Sequence, residues 1–132
     1  MGDEGISQNV RRFIGEHIRS VVELEVLLLM HAGSGRVWSA AQLSEQMRVD
    51  AEWTGRELLE LARRGLVRQC EGDPPLYVYE AANANHGIVE EVADTYAQRR
   101  VSVISLIFAK PSDPIQSFAD AFKLRKKEPK DG

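Results

Sequence analysis

The feature that most constrains this chain is a fixed order of start and stop signals over residues 37–80. Ser39 followed by Gln42 forms a capping box, which predicts that a helix begins there. Asp50 can cap a second helix, and Gly65 stands where a left-handed C-terminal cap is needed to end it. Two short runs of alternating apolar residues around a Gly-Asp-Pro-Pro turn then predict a β-hairpin. The segment therefore reads as helix, tight turn, helix and hairpin.

That order is the order of a winged helix-turn-helix. Residues 58–67 resemble the end of the recognition helix and the first wing strand of MarR-like winged-helix proteins. Residues 39–47 resemble the helix that precedes it, and residues 21–31 resemble the helix before that. The resemblance covers about residues 20–80, a little under half of the chain, and rests on pattern rather than on an invariant motif. It implies a mainly α fold with a small β-hairpin (α+β) and a DNA-binding transcription regulator.

The segments outside this motif have helical spacing of apolar residues, so we expect one domain over residues 1–132. The segments expected to surround or form the winged helix-turn-helix are an N-terminal helix at 7–19, the motif itself at 20–80, a long helix at 83–109, a short amphipathic helix at 113–126 and a flexible basic tail at 127–132.

Charge argues against a simple DNA-binding surface. Residues 50–64, the expected recognition helix, hold four acidic and three basic residues, and the hairpin at 71–80 holds three acidic residues and no basic residue. Affinity for nucleic acid comes mainly from Lys and Arg side chains that neutralise phosphates. The net charge of the whole chain, −3, adds no attraction for DNA.

Four arginines are the candidate DNA contacts that the resemblance implies: Arg48, Arg56, Arg63 and Arg64. In such a regulator they would contact bases and phosphates while the second helix lies in the major groove. The alternative is a solvated face in which Glu52 pairs with Arg56 and Glu60 with Arg64, both at i,i+4 spacing.

A second hypothesis is a protein-interaction module that keeps the fold. Trp53 points outward on the helical wheel, and Phe118 with Phe122 forms an apolar stripe on the helix expected at 113–126. Aromatic residues are enriched at interface hot spots, so these three are the candidate partner-binding residues. Trp53 can also find cover against its own chain. Membrane binding by the short amphipathic helix is disfavoured because one weak anchor gives marginal affinity.

The long helix expected at 83–109 would span about 37 Å, and one apolar stripe runs along it. Related regulators dimerise through such helices, so a homodimer is expected. Folding of the helix along its own domain is the alternative. The dimerisation candidates are Ile88, Val92, Tyr96, Val103 and Ile107.

The sequence contains no motif that is typical of a catalytic or cofactor-binding site. The three histidines are far apart along the chain and lack metal-ligand spacing, and no phosphate-binding loop or nucleophile elbow is present. The single cysteine, Cys70, is typical of a reducing compartment, so we expect a cytoplasmic protein with no cofactor. The sequence favours a homodimeric transcription regulator over an interaction module, by a narrow margin.

Overall fold

The computed structural model describes residues 5–109 of the chain. These residues form six helices and a three-stranded sheet, which confirms the predicted mainly α fold with a small β-hairpin. In chain order the elements are α1 (Gln8–His17), α2 (Val21–Ala32), β1 (Val37–Ser39), α3 (Ala40–Met47), α4 (Ala51–Arg63), β2 (Arg68–Cys70), β3 (Leu76–Val78), α5 (His86–Gln98) and α6 (Arg100–Ala109).

The first four helices each begin at a side chain that accepts a hydrogen bond from the backbone of the first turn. The four caps are Ser7, Ser20, Ser39 and Asp50. At α3 the box is complete, since the Gln42 side chain also accepts a bond from the Ser39 backbone N–H, with a distance of 2.9 Å. Each cap satisfies backbone donors that a helix start would otherwise leave unpaired.

The sheet has the strand order β1-β3-β2, and both pairs are antiparallel. The wing hairpin of β2 and β3 is therefore extended by β1, in which Trp38 pairs with Tyr77. Gly65 lies in the turn after α4 and has a φ of +77°. Residues that carry a Cβ rarely adopt this backbone conformation. This turn directs the chain from α4 into the wing.

The core is built around α2, whose Leu24, Leu27 and Met30 are fully buried. Helix α1 packs on α5 and α6 and adds Phe13 and Ile14 to the same core. Because the apolar residues of α2 lie on nearly all sides, other elements must cover it all round. Within residues 5–109, no helix is long and apolar enough to cross a membrane.

The long helix expected over residues 83–109 is two helices in the structure. Arg99, with φ −134° and ψ 52°, lies between α5 and α6 and leaves the helical conformation. The interruption allows both helices to contact α1. A single straight helix would present one continuous face. The helix expected at 113–126 and the tail at 127–132 lie outside the described residues.

Candidate nucleic-acid interface

Helices α3 and α4 form the helix-turn-helix unit, and a short turn holds them together. Arg48 ends α3 in the left-handed conformation, with φ 60° and ψ 47°. The Ser44 hydroxyl donates to the Val49 carbonyl at 2.6 Å, and the Thr54 hydroxyl donates to the Asp50 carbonyl at 2.7 Å. These bonds fix the entry of α4, so its outer face is presented by a rigid support.

Three of the four candidate arginines, Arg48, Arg56 and Arg63, are exposed on this unit. Arg63 pairs with Glu60, with 3.2 Å between Nη1 and Oε2. The expected pairing of Glu52 with Arg56 is not formed within residues 5–109, so the Arg56 guanidinium has no carboxylate partner among them. The face therefore offers three cations to solvent, one of them paired with an acid.

The fourth candidate, Arg64, points into the protein and not toward DNA. Its side chain is 13% exposed and lies 3.2 Å from the carboxylate of Glu23, which is completely buried. It also donates to the His17 backbone carbonyl and lies 3.6 Å from Glu60, which is the expected i,i+4 pair. Arg64 thus neutralises a buried carboxylate and ties α4 to α1 and α2. Arg64 is therefore not part of the candidate interface.

Glu57 adds a second carboxyl to this buried group. Burial, together with the hydrogen bond and the charge of Glu23, raises the pKa of Glu57 to about 7, against smaller lowering effects of Arg64 and Arg19. The Glu23 carboxylate already accepts the Arg19 backbone N–H at 2.7 Å and the Arg64 guanidinium. The raised pKa favours the protonated form of the Glu57 carboxyl, which can donate to Glu23.

The wing carries an arginine, Arg68, at its base, although its tip holds no basic residue. Arg68 on β2 and Glu80 after β3 form a bidentate pair, with distances of 3.0 Å and 2.8 Å. The bond with Glu80 raises the pKa of Arg68, and the same bond lowers the pKa of Glu80. The residues of the tip between the strands are exposed and include Glu71 and Asp73. The cation at the base of the wing is thus committed to an acid, and the tip is acidic.

The aromatic candidates are less exposed than the arginines, or lie elsewhere. Trp53 is half-buried on the first turn of α4, where its backbone N–H donates to the Asp50 cap at 2.8 Å. Leu59, which sequence analysis did not single out, is 38% exposed on the same helix. Phe118 and Phe122 lie outside the described residues. The outer face of α4 therefore mixes apolar and basic side chains.

The stripe expected to dimerise is buried in the chain's own core. Val92 and Val103 are fully buried and Ile107 nearly so, while Ile88 and Tyr96 pack against the same cluster. The five residues therefore fit the alternative expectation, in which the helix folds along its own domain. Burial removes Val92, Val103 and Ile107 from any surface that a second copy could contact, whereas Ile88 and Tyr96 stay partly exposed.

Two apolar side chains of α6 do reach solvent. Val101 is 76% exposed and Phe108 is 79% exposed in the isolated chain. The sequence pattern could not predict that these two residues are exposed. Helix α6 is apolar on nearly every side, so the periodicity does not show which face is buried.

Sequence analysis also missed a cluster outside the helix-turn-helix. His31, at the end of α2, and His86 and Glu90, on α5, bring one potential ligand atom each to within 4.8 Å of one another. His86 and Glu90 are at i,i+4 spacing, which places them on one helix face. This spacing of His86 and Glu90 is the one feature of the sequence that indicates the cluster. His31 is distant in sequence and approaches them only in the folded structure.

The fold is similar to the crystal structure of a cysteine-to-serine mutant of MarR from E. coli. The TM-score is 0.51, the sequence identity is 15%, and the similarity covers 86% of this chain and 82% of that chain. At this identity the likeness establishes the fold, a MarR-like winged helix, and not the activity. No protein-family model matches the sequence, and no curated protein sequence matches it.

Proposed function

We propose that this protein is a transcription regulator that binds duplex DNA as a homodimer, with α4 in the major groove. The observation that carries the proposal is the rigid α3–α4 unit with Arg48, Arg56 and Arg63 exposed on it. A recognition helix of this kind reads base edges while neighbouring cations contact phosphates. The MarR-like fold supports the same role.

The homodimer would use side chains other than the buried stripe. Val101 and Phe108, both on α6, are the most exposed large apolar residues in the described part of the chain. Two-fold dimers are the commonest assemblies of soluble proteins, and a dimer places two recognition helices one DNA turn apart. With three arginines from each protomer, up to about six phosphates could be neutralised, enough for a steep salt dependence.

The test is binding of a labelled random-sequence duplex, followed by fluorescence anisotropy at 50 mM and 200 mM salt. We expect wild-type affinity to fall by about 10³-fold between the two conditions if about six phosphates are contacted. The double variant Arg56→Ala/Arg63→Ala should bind at least tenfold more weakly and show a shallower salt dependence. Arg12→Ala, which removes an exposed arginine from α1, is the matched control and should bind like the wild type.

A second candidate, a protein-interaction module, is favoured by the acidity of the wing and by the apolar side chains on α4. The exposed tip carries Glu71 and Asp73, which phosphates repel, and Leu59 and Trp53 flank Arg56 on the helix. An aromatic residue beside an arginine has the composition of an interface hot spot. Absence of DNA binding at 50 mM salt, in a folded protein, would contradict the regulator proposal and favour this module.

A further inference from the structure

Two imidazoles and one carboxylate converge at the point where the end of α2, the strand β3 and the start of α5 meet. His31 Nε2 lies 3.2 Å from Glu90 Oε2, and His86 Nε2 lies 3.5 Å from the same oxygen. The three residues come from segments separated by as many as 59 positions. The fold, and not local sequence, assembles the cluster.

We propose that His31, His86 and Glu90 form a binding site for a divalent transition-metal ion, with Zn²⁺ the ion that fits best. A tetrahedral zinc ion with ligand distances of about 2.0–2.2 Å holds neighbouring ligand atoms about 3.3–3.6 Å apart. The two nitrogen–oxygen distances, 3.2 Å and 3.5 Å, match that spacing within a few tenths of an ångström. All three ligand atoms lie within 4.8 Å of one another, so side-chain adjustments could bring them around one ion.

The donor set selects among metals. Two imidazole nitrogens and one carboxylate oxygen suit zinc and its transition-metal neighbours, whereas Mg²⁺ and Ca²⁺ prefer oxygen ligands throughout. Three protein ligands leave the fourth position of a tetrahedral ion for water or an external ligand. Glu90 is 57% exposed and His31 is 15% exposed, so the site is open to solvent on the Glu90 side.

The residues around the cluster hold the imidazoles in place. The His31 ring lies 5.3 Å from the Tyr79 ring in an edge-on arrangement, and 5.7 Å from the His86 ring. Tyr79 is completely buried, and its backbone carbonyl accepts the Gly35 N–H at 2.8 Å. Ligands whose rings are fixed by packing lose little freedom on binding, which favours affinity.

Tyr79 also supplies the outer hydrogen bond that metal-bound histidines use. Its hydroxyl lies 2.9 Å from His86 Nδ1, while His86 Nε2 faces Glu90. When Nε2 binds a metal, Nδ1 carries the proton and donates to the Tyr79 oxygen, which fixes the ring and its tautomer. Tyr79 thus positions His86 through its hydroxyl.

The test is titration of the full chain, without a polyhistidine tag, with Zn²⁺ by isothermal calorimetry and with Co²⁺ by visible absorption. We expect one ion per chain and the intense Co²⁺ bands of a tetrahedral site. His31→Gln and His86→Gln should weaken Zn²⁺ binding at least 100-fold. Glu90→Gln should weaken it at least tenfold, and because Glu90 is largely exposed this variant tests the site without disturbing the core.

Two controls separate this site from other metal-binding groups. His17→Gln changes the histidine that lies outside the cluster, and Cys70→Ser removes the thiol; both should keep wild-type affinity. Tyr79→Phe should weaken Zn²⁺ binding about 10- to 100-fold, as loss of an outer hydrogen bond does elsewhere. Equal affinity of wild type and Glu90→Gln, loss of binding in Cys70→Ser, or no binding of Zn²⁺ by the wild type would each overturn the proposal. None of these readouts involves DNA.

Discussion

Replacing Glu57 by Gln should stabilise the protein more at pH 8 than at pH 5. Gln imitates the protonated carboxyl, since both donate a hydrogen bond to Glu23 and neither carries a charge. The wild-type folded state holds this proton up to a pKa of about 7, whereas the ordinary value is 4.5. The variant removes the cost that this raised pKa imposes on folding, which builds up as the pH rises from 4.5 to about 7.

The size of the effect follows from that pKa difference. Each pKa unit corresponds to about 1.4 kcal/mol, so the shift sets an upper limit of about 3 kcal/mol. Glu57 is partly exposed, and solvent reduces the figure, so we expect about 1 to 2 kcal/mol. A group whose pKa is raised by folding stabilises the protein fully below the unfolded value, here 4.5. That stabilisation is lost as the pH rises through the folded value of about 7.

The assay is urea unfolding at pH 5, 6, 7 and 8, followed by tryptophan fluorescence. The free energy of unfolding of Glu57→Gln minus that of the wild type should be smallest at pH 5, grow up to about pH 7 and level off by pH 8. Comparing differences cancels the titration of groups that both proteins share. Glu52→Gln, an exposed carboxyl on the first turn of the same helix, is the control and should show no such growth.

A difference between variant and wild type that stays flat from pH 5 to pH 8 would refute the reasoning. It would mean that Glu57 is not held protonated by burial and by Glu23. A variant that is less stable than the wild type at pH 8 would show instead that the Glu57 carboxylate is stabilised by Arg64 or Arg19.

Four further substitutions test the assignments made from the structure. Arg64→Ala should destabilise the fold by about 3 to 5 kcal/mol because it strands the buried Glu23 carboxylate, whereas the exposed Arg63→Ala should change stability by no more than about 0.5 kcal/mol; urea unfolding at pH 7 measures both. Asp50→Ala removes the cap of α4 and should cost about 1 kcal/mol, seen as a lower Tm. Arg48→Gly relieves a left-handed backbone at φ 60° and should raise stability by about 1 kcal/mol, while it weakens any DNA binding; a loss of stability would contradict this.

The helix-turn-helix could be predicted from the sequence because its signals are local. The caps Ser39 and Asp50 and the turn at Gly65 act within a few residues of themselves, and the structure confirms each of them. A capping side chain meets its backbone partner three positions away, so no knowledge of the tertiary fold is needed. The hairpin followed from turn residues in the same way.

The remainder depends on contacts between distant segments. Arg64 looks like a surface arginine on a helical wheel, and partners that are distant in sequence draw it inward: Glu23, 41 positions away, and the His17 carbonyl, 47 positions away. His31 meets Glu90 across 59 positions for the same reason. A periodic pattern shows which residues share a face but not what covers that face. The apolar stripe of α5 and α6 was therefore compatible with a dimer and with the chain's own core, and it lies in the core.

The packing of α1 on α5 and α6 sets an order of events during synthesis. The Ser7 hydroxyl donates to Glu91 at 2.7 Å across 84 positions, so the partners of α1 are among the last described residues to be made. At about 5–20 residues per second, that separation corresponds to roughly 4 to 17 seconds of translation. Throughout this interval the part of α1 that packs on α5 and α6 stays open to water, where apolar surface favours aggregation. A chaperone that shields α1 until α6 is made would protect the nascent chain.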